Sequence, residues 1–166
     1  MTDPANLVTG RGSIFDSGCE ALVNPVNLIG VAGAGLAAEF RRRFPNEHWA
    51  YAGACQASDF GTAPEKAMMA IGVGLPQMIF RGPMADPKWI VNFPTKRHYR
   101  DKSQEIDIWR GLKILADRVN TYEIRSIAVP ALGCGLGGLQ WERVRRMIAE
   151  RLAATVGARV VVFEPR

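Results

Sequence analysis

Two segments constrain the fold of this chain more than any others. ALVNPVNLIGVAGAGLAAEF (21–40) and SIAVPALGCGLGGLQW (126–141) each run from a short apolar stretch through glycines into a helical pattern. Repeated strand–loop–helix units wind a single sheet with helices on its faces, and ligands gather where the carboxyl ends of such strands open. Glycine lets the backbone adopt positive φ and approach a ligand closely, and a helix N-terminus presents amide donors that have no partner. Gly30, Gly33 and Gly35 stand in the first loop, and Gly133, Gly135, Gly137 and Gly138 in the second. Together they suit a diphosphate.

The rest of the chain repeats the alternation. NLVT, ALVN, AMMAIGV, WIVNF, IRSIAV and RVVVF read as strands, which predicts an α/β layer fold. Leu36, Phe40 and Phe44 recur every fourth position, so a helix between Gly33 and Pro45 buries them while Arg41 and Arg42 face outward. The run RRR is therefore a solvated helix face. Pro45 ends that helix and a weaker one follows from Asn46 to Ala57. Asp101 or Ser103 can cap a third helix, which buries Ile108, Leu112, Leu115 and Val119. A last helix turns Trp141, Val144, Ile148 and Leu152 inward. The Gly- and Pro-rich segment GVGLPQMIFRGPMADP reads as a strand followed by a surface loop. A length of 166 residues, with 48% hydrophobic and 22% charged, fits one globular domain over residues 1–166.

Charge and cysteine usage narrow the function. A net charge of +5 favours polyanions or a phosphate-bearing ligand. Cys19, Cys55 and Cys134 are odd in number and show no CxxC spacing, which points to free thiols in a reducing compartment. His48 and His98 form no cluster with cysteines at metal-ligand spacing, so neither a metal nor a cofactor is expected. The acidic start MTDPANLVTG is unlike a signal peptide, and no apolar run approaches the roughly 18 residues of a membrane span. A cytoplasmic location follows.

GCGLGG matches the dinucleotide pattern GxGxxG, but that motif belongs at the first strand-to-helix turn with an acid about 20 residues on. Here 28 residues remain after Gly138 and Glu164 lies too far along, which argues against nicotinamide chemistry. Neither loop ends in the GK[ST] of a P-loop. A different feature stands out in IVNFPTKRHYR (90–100), where a buried strand pattern ends in Lys96, Arg97, His98, Tyr99 and Arg100.

VNPVN, GVAGAGLAAEFRRRFP, VNFPTKRHYR, SIAVPALGCGLGGLQW and VVVFEP, in that order across nearly the whole chain, resemble a macrodomain of the DNA ADP-ribosyl glycohydrolase (DarG-type antitoxin) branch. The resemblance implies a three-layer α/β/α fold around a mixed, mostly parallel six-stranded sheet, with ADP-ribose between the two glycine loops. Asn27 resembles the asparagine beside the distal ribose, and Asn24 a structural neighbour. Gly33, Ala34, Gly35 and Leu36 resemble the loop against that ribose and the diphosphate, and Cys134, Gly135, Leu136, Gly137, Gly138 and Leu139 the second phosphate loop. Ser13, Ile14 and Phe163 resemble the adenine contacts, although Phe163 reads equally as a core residue of the last strand. Thr95 joins the ADP-ribose set. This branch commonly has a lysine where Ala34 stands, and some protein-deADP-ribosylating macrodomains an aspartate where Gly137 stands.

Lys96 resembles the catalytic lysine of the branch. A neutral amine can attack the anomeric carbon of an N-glycoside and form a transient Schiff base. Arg97, Arg100, Lys102 and partial burial would each favour that neutral form. Arg97, His98, Tyr99 and Arg100 are the expected nucleic-acid contacts, through phosphate attraction and base stacking. Cys134, with no histidine near it in sequence, reads as a small loop residue. The resemblance thus implies release of ADP-ribose from thymidine bases of single-stranded DNA, with a cognate DNA ADP-ribosyltransferase toxin as a further partner. The toxin-binding region that DarG-type proteins add after the macrodomain is not part of this sequence. An ADP-ribose reader without chemistry, and a hydrolase of a carboxylate or guanine linkage, are the alternatives.

Overall fold

The structure is a computed structural model that describes residues 2–59 and 72–166. Six strands form one sheet: β1 (Leu7–Thr9), β2 (Ala21–Asn27), β3 (Gln77–Phe80), β4 (Trp89–Lys96), β5 (Ser126–Val129) and β6 (Arg159–Val162), in the order β1-β6-β5-β2-β4-β3. Neighbours from β1 to β4 pair in parallel, and β3 closes the edge antiparallel to β4. The helices are α1 (Gly35–Arg43), α2 (Pro45–Asp59), α3 (Glu105–Thr121) and α4 (Trp141–Arg151).

Side chains alternate across the strands and fill two layers of core. Val23, Val91, Ile127 and Val160 turn to one face, where they meet Leu112 and Leu115 of α3 and Val144 and Ile148 of α4. Leu22, Ile90, Ala128 and Val161 turn to the other, against Phe40 of α1. This is the expected three-layer α/β/α arrangement with a mixed six-stranded sheet. Each fully buried side chain of this size contributes roughly 1.5–3 kcal/mol of transfer free energy. The helical spacing of Ile108, Leu112, Leu115 and Val119 is realised, since all four are buried. Leu36 and Phe44 flank buried Phe40 as partly buried neighbours.

The expected strand AMMAIGV lies, apart from Gly72 and Val73, outside the described residues. The third strand instead falls within GVGLPQMIFRGPMADP, the segment read as strand then loop. Pro45 both stops α1 and opens α2, because the first position of a helix needs no amide hydrogen. Asn24, Asn92 and Gln77 form a buried amide ladder across β2, β4 and β3, with Asn24 Nδ2 donating to Asn92 Oδ1 at 3.0 Å and Asn92 Nδ2 to Gln77 Oε1 at 2.9 Å. This accounts for a structural Asn24 and ties the antiparallel edge strand to the parallel sheet. Among the described residues no helix is long and apolar enough to cross a membrane.

Candidate functional site

Adjacent strands β5 and β2 send their chains to opposite faces, β2 into α1 and β5 into α4. A crevice opens at the carboxyl ends of such a pair. The two glycine loops leave those ends, and Lys96 closes β4 on the far side of β2.

In the first loop the Asn27 side chain is bound locally. Its Nδ2 donates to Val31 O at 2.9 Å, while Oδ1 accepts from Ile29 N at 3.0 Å and Val31 N at 3.3 Å. Asn27 therefore shapes the loop, and one amide hydrogen is left for a ligand. Its carbonyl accepts from the buried Tyr51 hydroxyl at 2.7 Å. Burial, first, and then the nearby Cys55 push the Tyr51 pKa upward, so it stays a donor. Sequence alone did not single out Tyr51, because an aromatic on an amphipathic helix reads as core.

Gly30 has φ of 78°, and a Cβ there would come within 2.9 Å of Ala52 Cα. Folding therefore requires it. Gly33 and Gly135 differ: a Cβ at either would meet nothing within 4 Å, and neither has positive φ. What they leave is open space beside the backbone. The helix N-cap Ala34 makes no side-chain bond, and α1 has no acid in its first turn. Its first amides are free to face an anion.

The second loop is a compact turn, with Cys134 N donating to Ala131 O, Gly138 N to Gly135 O and Leu139 N to Gly133 O. Among the described residues, the amides of Gly135, Leu136 and Gly137 have no acceptor. Ser103 lies beneath this turn, buried, with its N–H on Gly137 O at 3.0 Å. A Cβ on Gly137 would overlap Ser103 Oγ and come within 2.6 Å of Gly133 O, so the aspartate of related macrodomains has no room here. Ser103 and Asp101 do not cap α3; Gln104 takes that position without a side-chain bond. Cys134 is half-buried, and burial followed by Glu142 pushes its thiol up to about 11, which leaves it protonated and a weak nucleophile at neutral pH.

A register shift brings Lys96 to the crevice. Val26 pairs with Pro94 but Asn27 pairs with Lys96, so Thr95 is an extra residue, a bulge on β4. Thr95 is buried and its hydroxyl donates to Val26 O at 3.4 Å. Lys96 Nζ donates to Tyr99 O at 3.0 Å. Its pKa is lowered, chiefly by desolvation and next by Lys102, while Asp101 opposes the shift. Arg97 and Arg100, expected to help, are not among the causes.

Residues 98–101 form a knuckle. Asp101 Oδ2 accepts from His98 N at 3.0 Å, and His98 Nδ1 accepts from Arg100 N at 3.1 Å. The His98 and Tyr99 rings lie 4.2 Å apart, and the Arg100 guanidinium is 5.5 Å from the Tyr99 ring centre. The outcome is an exposed aromatic and cationic surface next to Lys96, of the kind on which bases stack.

Of the residues expected to meet adenine, Ser13 has its Oγ accepting from Phe15 N at 3.3 Å, and Ile14 is buried. Phe163 is buried in the same cluster, and Gly10 lies so close that a Cβ would come within 2.6 Å of its Cε1. A separate groove of about 730 Å³ opens at the other end of the sheet, by Glu20, Lys88, Trp89 and Tyr122. Glu20 there is already bound by Arg125 N at 2.9 Å and Lys88 Nζ at 3.3 Å, and Lys96 is not among its walls.

This fold and crevice are those of a macrodomain. The Macro domain family model matches residues 23–148, and the chain belongs to that family. Within it the chain is similar to DarG: the macrodomain of Thermus aquaticus DarG superposes with a TM-score of 0.84 at 41% identity, over 96% of this chain and 98% of that one. A curated relative from Thermus aquaticus named DNA ADP-ribosyl glycohydrolase is 43% identical over 158 residues, which is 93% of this chain and 40% of the relative. Thermosipho africanus DarTG, solved in complex with ADP-ribose, matches with a TM-score of 0.82 at 29% identity, over 97% of this chain and 42% of that one. The chain thus spans less than half the length of the curated relatives it matches.

Proposed function

We propose that this domain is an ADP-ribosyl glycohydrolase that frees ADP-ribose from thymidine bases in single-stranded DNA, with Lys96 as the reacting group. The observation that carries the proposal is the bulge that sets Lys96 beside Asn27, next to two loops with unpartnered amides. Free amides at two turns suit the two phosphates of ADP-ribose, and Gly33 and Gly135 keep space that folding does not need. Ser13, Ile14 and Phe163 offer the adenine end, and Cys134 to Leu139 the second phosphate seat. The knuckle of half-buried His98 with exposed Tyr99 and Arg100, together with Arg97, suits a flanking DNA strand.

In the reaction, the neutral Lys96 amine forms a bond to the anomeric carbon as the base nitrogen leaves with its electron pair and takes a proton. Opening of the ribose ring then gives a protonated imine. Water adds to it, the carbon–nitrogen bond breaks, and lysine and ADP-ribose are released. Desolvation and Lys102 favour the neutral amine this requires. Relatives that bear the name DNA ADP-ribosyl glycohydrolase support the substrate class, and the Thermosipho africanus transferase–glycohydrolase fusion protein supports a DNA ADP-ribosyltransferase as partner. The protein would act in the cytoplasm.

The test is Lys96→Ala, assayed for ADP-ribose binding by calorimetry and for release from an ADP-ribosylated thymidine oligonucleotide. Binding retained with release abolished is the expected result. Wild-type turnover by the variant would refute the lysine mechanism. Wild-type protein that binds ADP-ribose but releases none from DNA would make the domain a reader, and release from ADP-ribosylated protein alone would reassign the linkage.

A further inference from the structure

Lys102 and Ser103 lie in the segment between Lys96 and α3, and both reach the second glycine loop. Lys102 Nζ donates to Leu136 O at 3.3 Å, and a Cβ on Gly138 would lie 3.5 Å from Lys102 Cδ and 3.7 Å from its Nζ. Ser103 N–H binds Gly137 O one residue further on, and Ser103 Oγ is wedged under Gly133 and Gly137. The segment that follows the reactive lysine is therefore bonded to two successive residues of the phosphate loop, Leu136 and Gly137. Among the described residues no carboxylate comes within ion-pair distance of Lys102. Its charge is not cancelled locally. The carbonyl it rests on belongs to the same turn as the unpartnered amides of Gly135, Leu136 and Gly137.

We propose that Lys102 is a second functional lysine of this site: a positioning residue that latches the Lys96 segment to the second glycine loop and sets one uncompensated positive charge between the diphosphate seat and Lys96. This rests on the Lys96 chemistry proposed above. An ammonium at that position attracts the diphosphate and disfavours a second ammonium on Lys96. Two charged groups act on Lys96, Lys102 lowering its pKa and Asp101 raising it, and β2 presents the uncharged Asn27 beside it. The latch and the charge therefore belong to one side chain, whose conservative replacement keeps both.

The experiment measures single-turnover release of ADP-ribose from a modified oligonucleotide as a function of pH. In Lys102→Met the rise of rate with pH moves to higher pH, so turnover falls severalfold near neutrality and recovers under alkaline conditions. Lys102→Arg restores the wild-type profile. Asp101→Asn, which keeps an oxygen for His98 N–H, moves the rise to lower pH. ADP-ribose affinity falls severalfold in Lys102→Met and is held in Lys102→Arg. A purely structural role would reduce rate at every pH without moving the profile, so an unmoved Lys102→Met profile overturns the proposal. Lys96→Ala is run in parallel. If it turns over normally, the lysine chemistry itself fails; if it is inactive while the Lys102→Met profile stays put, only the assignment of Lys102 fails.

Discussion

Replacing Gly111 by alanine sets helix propensity against packing, and the structure decides which wins. Gly111 lies within α3, where Ala is favoured over Gly by about 1 kcal/mol when nothing else changes. A Cβ at Gly111, however, would overlap Cζ of Phe93 and lie 3.0 Å from both its Cε atoms, and Phe93 is 0% exposed. Neither ring nor helix can yield without disturbing close-packed neighbours, and overpacking of this kind costs about 1–3 kcal/mol. Set against the helix-propensity gain, the expected net loss is about 0–2 kcal/mol, which in a domain of this size lowers Tm by up to about 8 °C. Gly53→Ala in α2 is the control, since its Cβ would meet nothing within 4 Å. It should raise Tm by about 2–4 °C. Both are read by thermal and urea denaturation. Because Phe93 lies on the strand that ends in Lys96, Gly111→Ala should also slow turnover. A Gly111→Ala protein as stable as Gly53→Ala would refute the packing argument.

Tyr51→Phe removes the hydroxyl from Asn27 O and leaves a carbonyl unpaired beside a buried ring, a loss of about 1–2 kcal/mol. It should also weaken ADP-ribose binding, because the first loop hangs from Asn27; unchanged stability and affinity would show the bond to be idle. Cys134→Ala should keep turnover, and Cys134 in the wild type should react slowly with iodoacetamide at neutral pH, given a thiol pushed up to about 11. Loss of turnover with binding intact would return Cys134 to the list of reacting groups.

Periodicity made the helices and most strands legible, because burial on one face imposes spacing that survives in a single sequence. Ile108, Leu112, Leu115 and Val119 behave as expected, and so do the two glycine loops at the carboxyl ends of β2 and β5. Local chemistry was less legible where one residue type serves two purposes. Asp101 and Ser103 suit a helix cap by type, yet Asp101 closes the 98–101 knuckle and Ser103 supports the second loop. Likewise the basic run after Lys96 suggested several cations acting on it, whereas among them Lys102 alone lowers its pKa. Tyr51 and Gly111 carried no signal, since their partners, Asn27 O and the Phe93 ring, are distant in sequence.

The bulge at Thr95 is the part that no sequence pattern could supply, and the site depends on it. In a regular parallel pair Asn27 would face Thr95, and Lys96 would project to the opposite side of the sheet. The extra residue shifts the phase by one, and the ladder resumes at once with Leu28 N donating to Arg97 O at 2.9 Å. The lysine is thus placed by backbone hydrogen bonds on either side of it, on a strand buried in the core as far as Thr95, and not by a free loop. Such a mounting explains how one short segment combines a precisely set amine with an exposed basic knuckle. The strand fixes Lys96, the bulge pairs it with Asn27, and the chain beyond it presents Tyr99 and Arg100 to solvent, with His98 half-buried, before Lys102 and Ser103 fasten it to the second loop.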